Sequence, residues 1–127
     1  MEPRMARERG IFRASEDIIG KHVVNLEGED LGKIEDVIID APNARVSYAI
    51  LSFGGFMGLG DKLFALPWVS LFYSPENGNF ALKADKELLK KAPGFDRNNW
   101  PDLSDPVSRA DIYRYYGAAI YWSQDGR

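Results

Sequence analysis

From Lys21 to Ala84 the chain offers strand after strand and no helix. Five short segments rich in β-branched and aromatic residues follow one another: KHVVNL, GKIEDVIIDA, RVSYAILSF, DKLFALPWVSLFYS and NFALKA. Turn chemistry separates them, in EGEDLG, PNA, a glycine-rich stretch and PENG. That spacing predicts a small barrel or sandwich. The third segment says most. Val46, Tyr48 and Ile50 fall on one face; Ser47, Ala49, Leu51 and Phe53 fall on the other. Neither face is wholly polar, so this strand is expected to be covered on both sides.

Helix propensity is confined to the ends. In ASEDIIG, Ser15 can cap one helical turn and Gly20 can end it. DKELLKKA predicts a short helix with Asp85 as N-cap, an apolar stripe of Leu88, Leu89 and Ala92, and Pro93-Gly94 as the stop. SDPVSRADIYRYYG predicts another, with Asp105 as cap, Pro106 at the first helical position and Gly117 at the end. Between these helices FDRNNWPDLSDPV is polar and proline-punctuated, with Trp100 as its one large anchor. Residues 1–13 carry four arginines and little apolar surface and read as a mobile tail. The expected organisation is therefore a tail over 1–13, a barrel domain over 14–95 and a C-terminal extension with a short helix over 96–127. Trp100, Ile112, Tyr113 and Tyr116 carry too much apolar surface to be left in water, so the extension is expected to belong to the folded unit.

The length of 127 residues suits one domain with some extension. Net charge is −3, which argues against a dominant electrostatic affinity for nucleic acid or anionic membrane. The absence of cysteine excludes disulfides, thiolate catalysis and thiolate metal sites. The N-terminus has no apolar stretch of a secretory signal, and no run approaches the ~18 apolar residues of a membrane span. A cytoplasmic protein with no membrane span is the expectation.

The stretch SFGGFMGLGDKLFALPW tests for a phosphate cradle. Gly55 and Gly60 have Walker A separation, but Asp61 stands where the lysine belongs and Lys62 where the hydroxyl belongs. A dinucleotide fingerprint fails at Leu63, which replaces the last glycine, and a strand follows where a helix is needed. The stretch is thus a strand-to-strand loop with an apolar tip, Phe56, Met57 and Leu59. A solvated turn would choose Asn, Asp or Ser there, so the tip predicts a protein–protein contact, most simply a homodimer. Folding of the tip into its own barrel is the alternative. His22, the one histidine, lacks a G-x-S-x-G partner for a triad and a second nitrogen for a metal. Glu27, Glu29 and Asp30 lack EF-hand spacing, and Glu35 and Asp36 point to opposite sides of a strand. Near Tyr113, Tyr115, Tyr116, Tyr121 and Trp122 stand only Arg109 and Arg114, with Asp111 between them, fewer cations than a base-stacking surface needs, so these aromatics predict packing or a protein interface.

The residues GEDLGKIEDVIIDAPNARVSYAILSFGGFMGLGDKLFALPWVSL closely resemble the PRC-barrel domain, from about Ser15 to Phe95. The most specific parts are LGKIEDVIID (Leu31 to Asp40) and the glycine stretch. APGFDRNNWPDLSDP and the later YYG resemble the tail of small stand-alone bacterial members. The family takes its name from the cytoplasmic domain of the photosynthetic reaction-centre H subunit and includes the C-terminal domain of a ribosome-maturation factor. The resemblance implies a mainly β fold, a small barrel of about six strands with short helices near the ends. It also implies a non-enzymatic docking or assembly role with a protein partner, and it carries no catalytic, cofactor-binding or metal residue. A barrel with few exposed edges would dock through side chains and loops. A small-molecule or ion-binding barrel and an RNA- or ribosome-associated factor are the alternatives.

Overall fold

The alternation in RVSYAILSF organises the molecule. The computed structural model describes residues 3–54 and 62–123. Six strands form one curled sheet: β1 (His22–Val24), β2 (Asp30–Asp40), β3 (Arg45–Phe53), β4 (Lys62–Pro67), β5 (Leu71–Ser74) and β6 (Asn79–Leu82). Their order is β4-β3-β2-β1-β6-β5, antiparallel except for the parallel pair β1–β6. The segment DKLFALPWVSLFYS, read as one strand, is two. A 3₁₀ turn at Trp68–Ser70 follows Pro67 and carries the chain from one edge of the sheet to the other. Proline has no N–H to give to a ladder, so β4 ends there.

The sheet curls because it is bulged. In β1–β2 pairing, Leu31 is an extra residue between the pairs Val23↔Gly32 and Val24↔Asp30. In β2–β3 pairing, Glu35 is extra on β2 and Ser47 is extra on β3. Each bulge bends its strand and re-aims a side chain. Gly32 sits at the tightest point. Its φ is +133°, and a Cβ there would lie 2.1 Å from the Ser52 carbonyl oxygen, so only glycine fits.

Two apolar clusters use opposite faces of β3 and β4. Ala49, Leu51, Phe64 and Leu66 turn inward and pack with Val23, Leu31, Ile34, Phe80 and Leu82. That cluster draws on every strand of the sheet, since Leu71 and Tyr73 of β5 pack against it. Tyr48, Ile50, Leu63 and Ala65 turn outward and pack under Tyr113 and Trp122 of the C-terminal extension. Coverage of both faces of β3 is as expected from its residues. Ser47 departs from the alternation: the bulge brings its hydroxyl 3.4 Å from the Tyr113 hydroxyl, on the outward side.

The helices lie at the ends: α1 (Pro3–Glu8), a π turn (Ala14–Ile18), α2 (Lys86–Lys90) and α3 (Pro106–Tyr115). Asp85 caps α2 by accepting from the Leu88 N–H at 2.7 Å, and Asp105 caps α3 by accepting from the Ser108 N–H at 3.0 Å. At the π turn Ser15 does not cap; the Asp17 carboxylate takes the Arg13 N–H at 2.8 Å. Residues 3–13 differ from the expected tail. They carry α1, and the Phe12 ring packs on Trp68, Tyr73 and Phe80 with centroids 5.1–6.5 Å apart. The partly buried Phe12 ring thus packs the end of the expected tail against the core.

Candidate functional site

The outer face of β3–β4 is closed by the extension, and the closure is specific. Leu63 of β4 exchanges two backbone hydrogen bonds of 2.9 Å with Phe95, so the free edge of β4 is capped there. The Tyr113 hydroxyl donates to the carbonyl of Ser47, the bulged residue, at 2.7 Å. At the end of the β2–β3 hairpin Asp40 accepts from Arg109 Nη2 at 3.1 Å and from the Tyr121 hydroxyl at 2.5 Å. The Arg109 guanidinium lies 3.9 Å from the Trp122 ring centroid, and Arg45 lies 3.7 Å from that of Tyr121. Such stacked, paired cations fix geometry as well as contributing energy. Burial pushes the Asp40 carboxyl up, but hydrogen bonds from Tyr121, Asn43 and Arg109 outweigh it and hold it below the usual range. Burial raises the Tyr48 phenol to about 12, and its hydroxyl has no hydrogen-bond partner among the described residues.

Trp100 proves a weaker anchor than its size suggests. It rests on Phe95 with centroids 5.1 Å apart but stays 40% exposed. Tyr113 and Trp122 do the anchoring.

The polar candidates sort into structural partners. His22 Nδ1 lies 3.0 Å from Asp30 Oδ1, with both side chains about half exposed. Burial pushes Asp30 up, while hydrogen bonds from His22 and the Gly32 N–H lower it further, leaving its carboxyl below the usual range. Glu35, pushed out by its bulge, accepts two hydrogen bonds from Arg97, at 2.5 and 2.7 Å. Asn25 ties the β1–β2 turn by hydrogen-bonding Glu29 at 2.9 Å. Among the described residues no three His, Asp or Glu side chains gather as a metal site.

The other edge of the sheet is bare. Among the described residues β5 pairs with β6 alone. Leu71 and Tyr73 turn inward, which sends Phe72 outward, 59% exposed. Val69, in the preceding 3₁₀ turn, is 42% exposed. Beside them runs a groove of about 540 Å³, with Val69 and Phe72 on one wall and residues 116–121 of the extension on another. The expected small barrel with few exposed edges is present as a curled six-stranded sheet, and among the described residues it leaves one edge open at β5, because the turn after Pro67 crosses between the edges without pairing them.

The tip residues Phe56, Met57 and Leu59 lie outside the described residues. The structure brings Val69, Phe72 and Ile120 together instead, and sequence reading passed over them. The signal was present in LFYS: with Leu and Tyr inward, the intervening Phe must face water. It was hidden because β4 and β5 were read as one strand.

Among the described residues no helix is long and apolar enough to cross a membrane. No curated protein matches the chain. Among solved structures, a 16S ribosomal RNA processing protein, RimM, from Pseudomonas aeruginosa is similar at 16% sequence identity and a TM-score of 0.37. The likeness covers 60% of this chain and 50% of that one, so the chain matches half the length of that protein. The family model of the PRC-barrel domain matches residues 11–89, more than half of the chain and all six strands of the curled sheet, and the protein therefore belongs to the PRC-barrel family.

Proposed function

We propose that this PRC-barrel protein is a non-enzymatic docking or assembly module that works by contact with a protein partner. One observation carries the reading: the inside of the curl is taken up by the chain's own side chains from every strand, while large apolar groups stand on the outside at an open sheet edge. A small-molecule or ion-binding barrel would need the inside. An RNA-associated role would draw on the N-terminal arginines, but Arg4 pairs with Glu8 and Arg7 with Asp17, which reduces their pull on phosphates.

Affinity capture of the full chain from its native cell, with nuclease treatment and a high-salt wash, tests the reading. A protein partner recovered in near-equal amount after both treatments supports it. Capture that nuclease abolishes would favour RNA. Saturable heat with a small ligand, and no protein partner, would overturn docking.

A further inference from the structure

The two edges of the sheet differ in what is left for a partner. At β4, Phe95 already holds the backbone of Leu63. At β5 no described strand follows, Phe72 stands outward, and a groove runs alongside. The groove has a sign. Among the described residues its lining includes the cations Arg45 and Lys83, the apolar Val69, Phe72 and Ile120, and no carboxylate. Neither cation forms an ion pair with a described carboxylate: Arg45 lies over Tyr121, and Lys83 is exposed. In a chain of net charge −3 this is a local reversal.

Resting on the docking reading above, we propose that the β5 edge takes an extended peptide segment of a partner protein, added as a seventh strand, whose groove-facing side chains are apolar and acidic in turn. Strand addition gives backbone hydrogen bonds to an unpaired edge, and specificity comes from alternate side chains. All five groove residues lie on one side, so one face of the added strand meets them: apolar side chains against Val69, Phe72 and Ile120, acidic ones against Arg45 and Lys83. A second copy of this chain is a poor occupant. Its β5 sequence, Leu-Phe-Tyr-Ser, offers Arg45 and Lys83 no carboxylate.

The probe is a synthetic heptapeptide, capped at both ends, with valine and glutamate in turn on one strand face and threonine on the other, titrated into the isotopically labelled full chain. Two controls accompany it: the same peptide with lysine in place of glutamate, and the glutamate peptide N-methylated at every second residue. The expected result is amide shifts centred on Leu71 to Ser74 and on Lys83, with no shift from the lysine peptide. Methylation of the bonding edge should abolish binding. Phe72→Asp should weaken binding by about tenfold or more, and Lys83→Glu by several-fold. Both positions are exposed, and an unchanged circular dichroism spectrum checks that the variants fold. Equal binding of the lysine peptide would overturn the charge assignment. Equal binding of the methylated peptide, shifts elsewhere, no binding at millimolar peptide, or self-association through β5 would overturn strand addition. If the native partner is captured equally well by the Phe72→Asp variant, docking stands and this surface does not.

Discussion

The β4 edge and the β5 edge belong to one sheet and are joined by three residues, yet they end up opposite in character. β4 is sealed: Phe95 occupies its backbone, and Tyr113 and Trp122 cover its outer face. Among the described residues β5 keeps a bare edge and an outward Phe72. The difference is the C-terminal extension, which closes one side of the sheet and skirts the other as a groove wall. An exposed strand edge invites unwanted pairing, and natural proteins cover, shorten or charge such edges. Here one edge is covered. The other is four residues long with Arg45 and Lys83 in the adjoining groove, which limits random association without abolishing a site.

That contrast can be broken at the sealed side first. Truncation after Phe95 keeps the β4 bridge but strips Tyr48, Ile50, Leu63 and Ala65 of their cover. The expected outcome is an unfolded or aggregating chain, seen by circular dichroism and size-exclusion chromatography; a stable, soluble truncation would show the extension to be a mere appendage. Next, Tyr113→Ala should cost about 3–5 kcal/mol in urea unfolding, through a large cavity and the lost hydrogen bond to the Ser47 carbonyl.

Arg109→Ala should cost about 3 kcal/mol, because it leaves Asp40 short of its charged partner in a mostly buried site. Its pH dependence is the sharper readout. The folded Asp40 carboxyl is held below its unfolded value, so its contribution is present above the unfolded carboxylate range and is lost as pH falls through the folded value. Removing Arg109 raises the folded value, so the variant should lose this contribution at a higher pH than the wild type. The stability gap between the two should therefore narrow in acid; a gap constant with pH would mean that Arg109 acts by stacking on Trp122 alone. Smallest of all, Phe72→Ser at the bare edge should shift stability by no more than about 0.5 kcal/mol, since the side chain is mostly in water. A loss of several kcal/mol would show that the edge is not bare.

Much of the fold was legible in the residues. Alternation in RVSYAILSF announced two covered faces, and the caps Asp85 and Asp105 announced where α2 and α3 begin, because both are short-range signals written in adjacent side chains. The misreadings share one cause. Phe12 in a supposed tail, Trp100 as a supposed anchor, Ser47 on a supposed inner face and the join of β4 to β5 each depend on what lies across the sheet. Phe56, Met57 and Leu59, the expected contact tip, lie outside the described residues. Phe72 and Val69 look like ordinary strand residues until the described sheet is seen to stop at β5.

What the amino-acid order determined by itself was local: strand-forming runs, turns, caps, the lack of thiol chemistry, and a pattern that places the chain in the PRC-barrel family. The tertiary structure alone decided which strand edge would be closed and which left open. The physical reason is that edge closure rests on contacts between residues far apart in the chain. Leu63 meets Phe95, Ser47 meets Tyr113, and Asp40 meets Arg109 and Tyr121. Their energies depend on burial and geometry that exist only once the sheet has curled, whereas a cap or an alternating strand carries its cause within a few neighbouring residues.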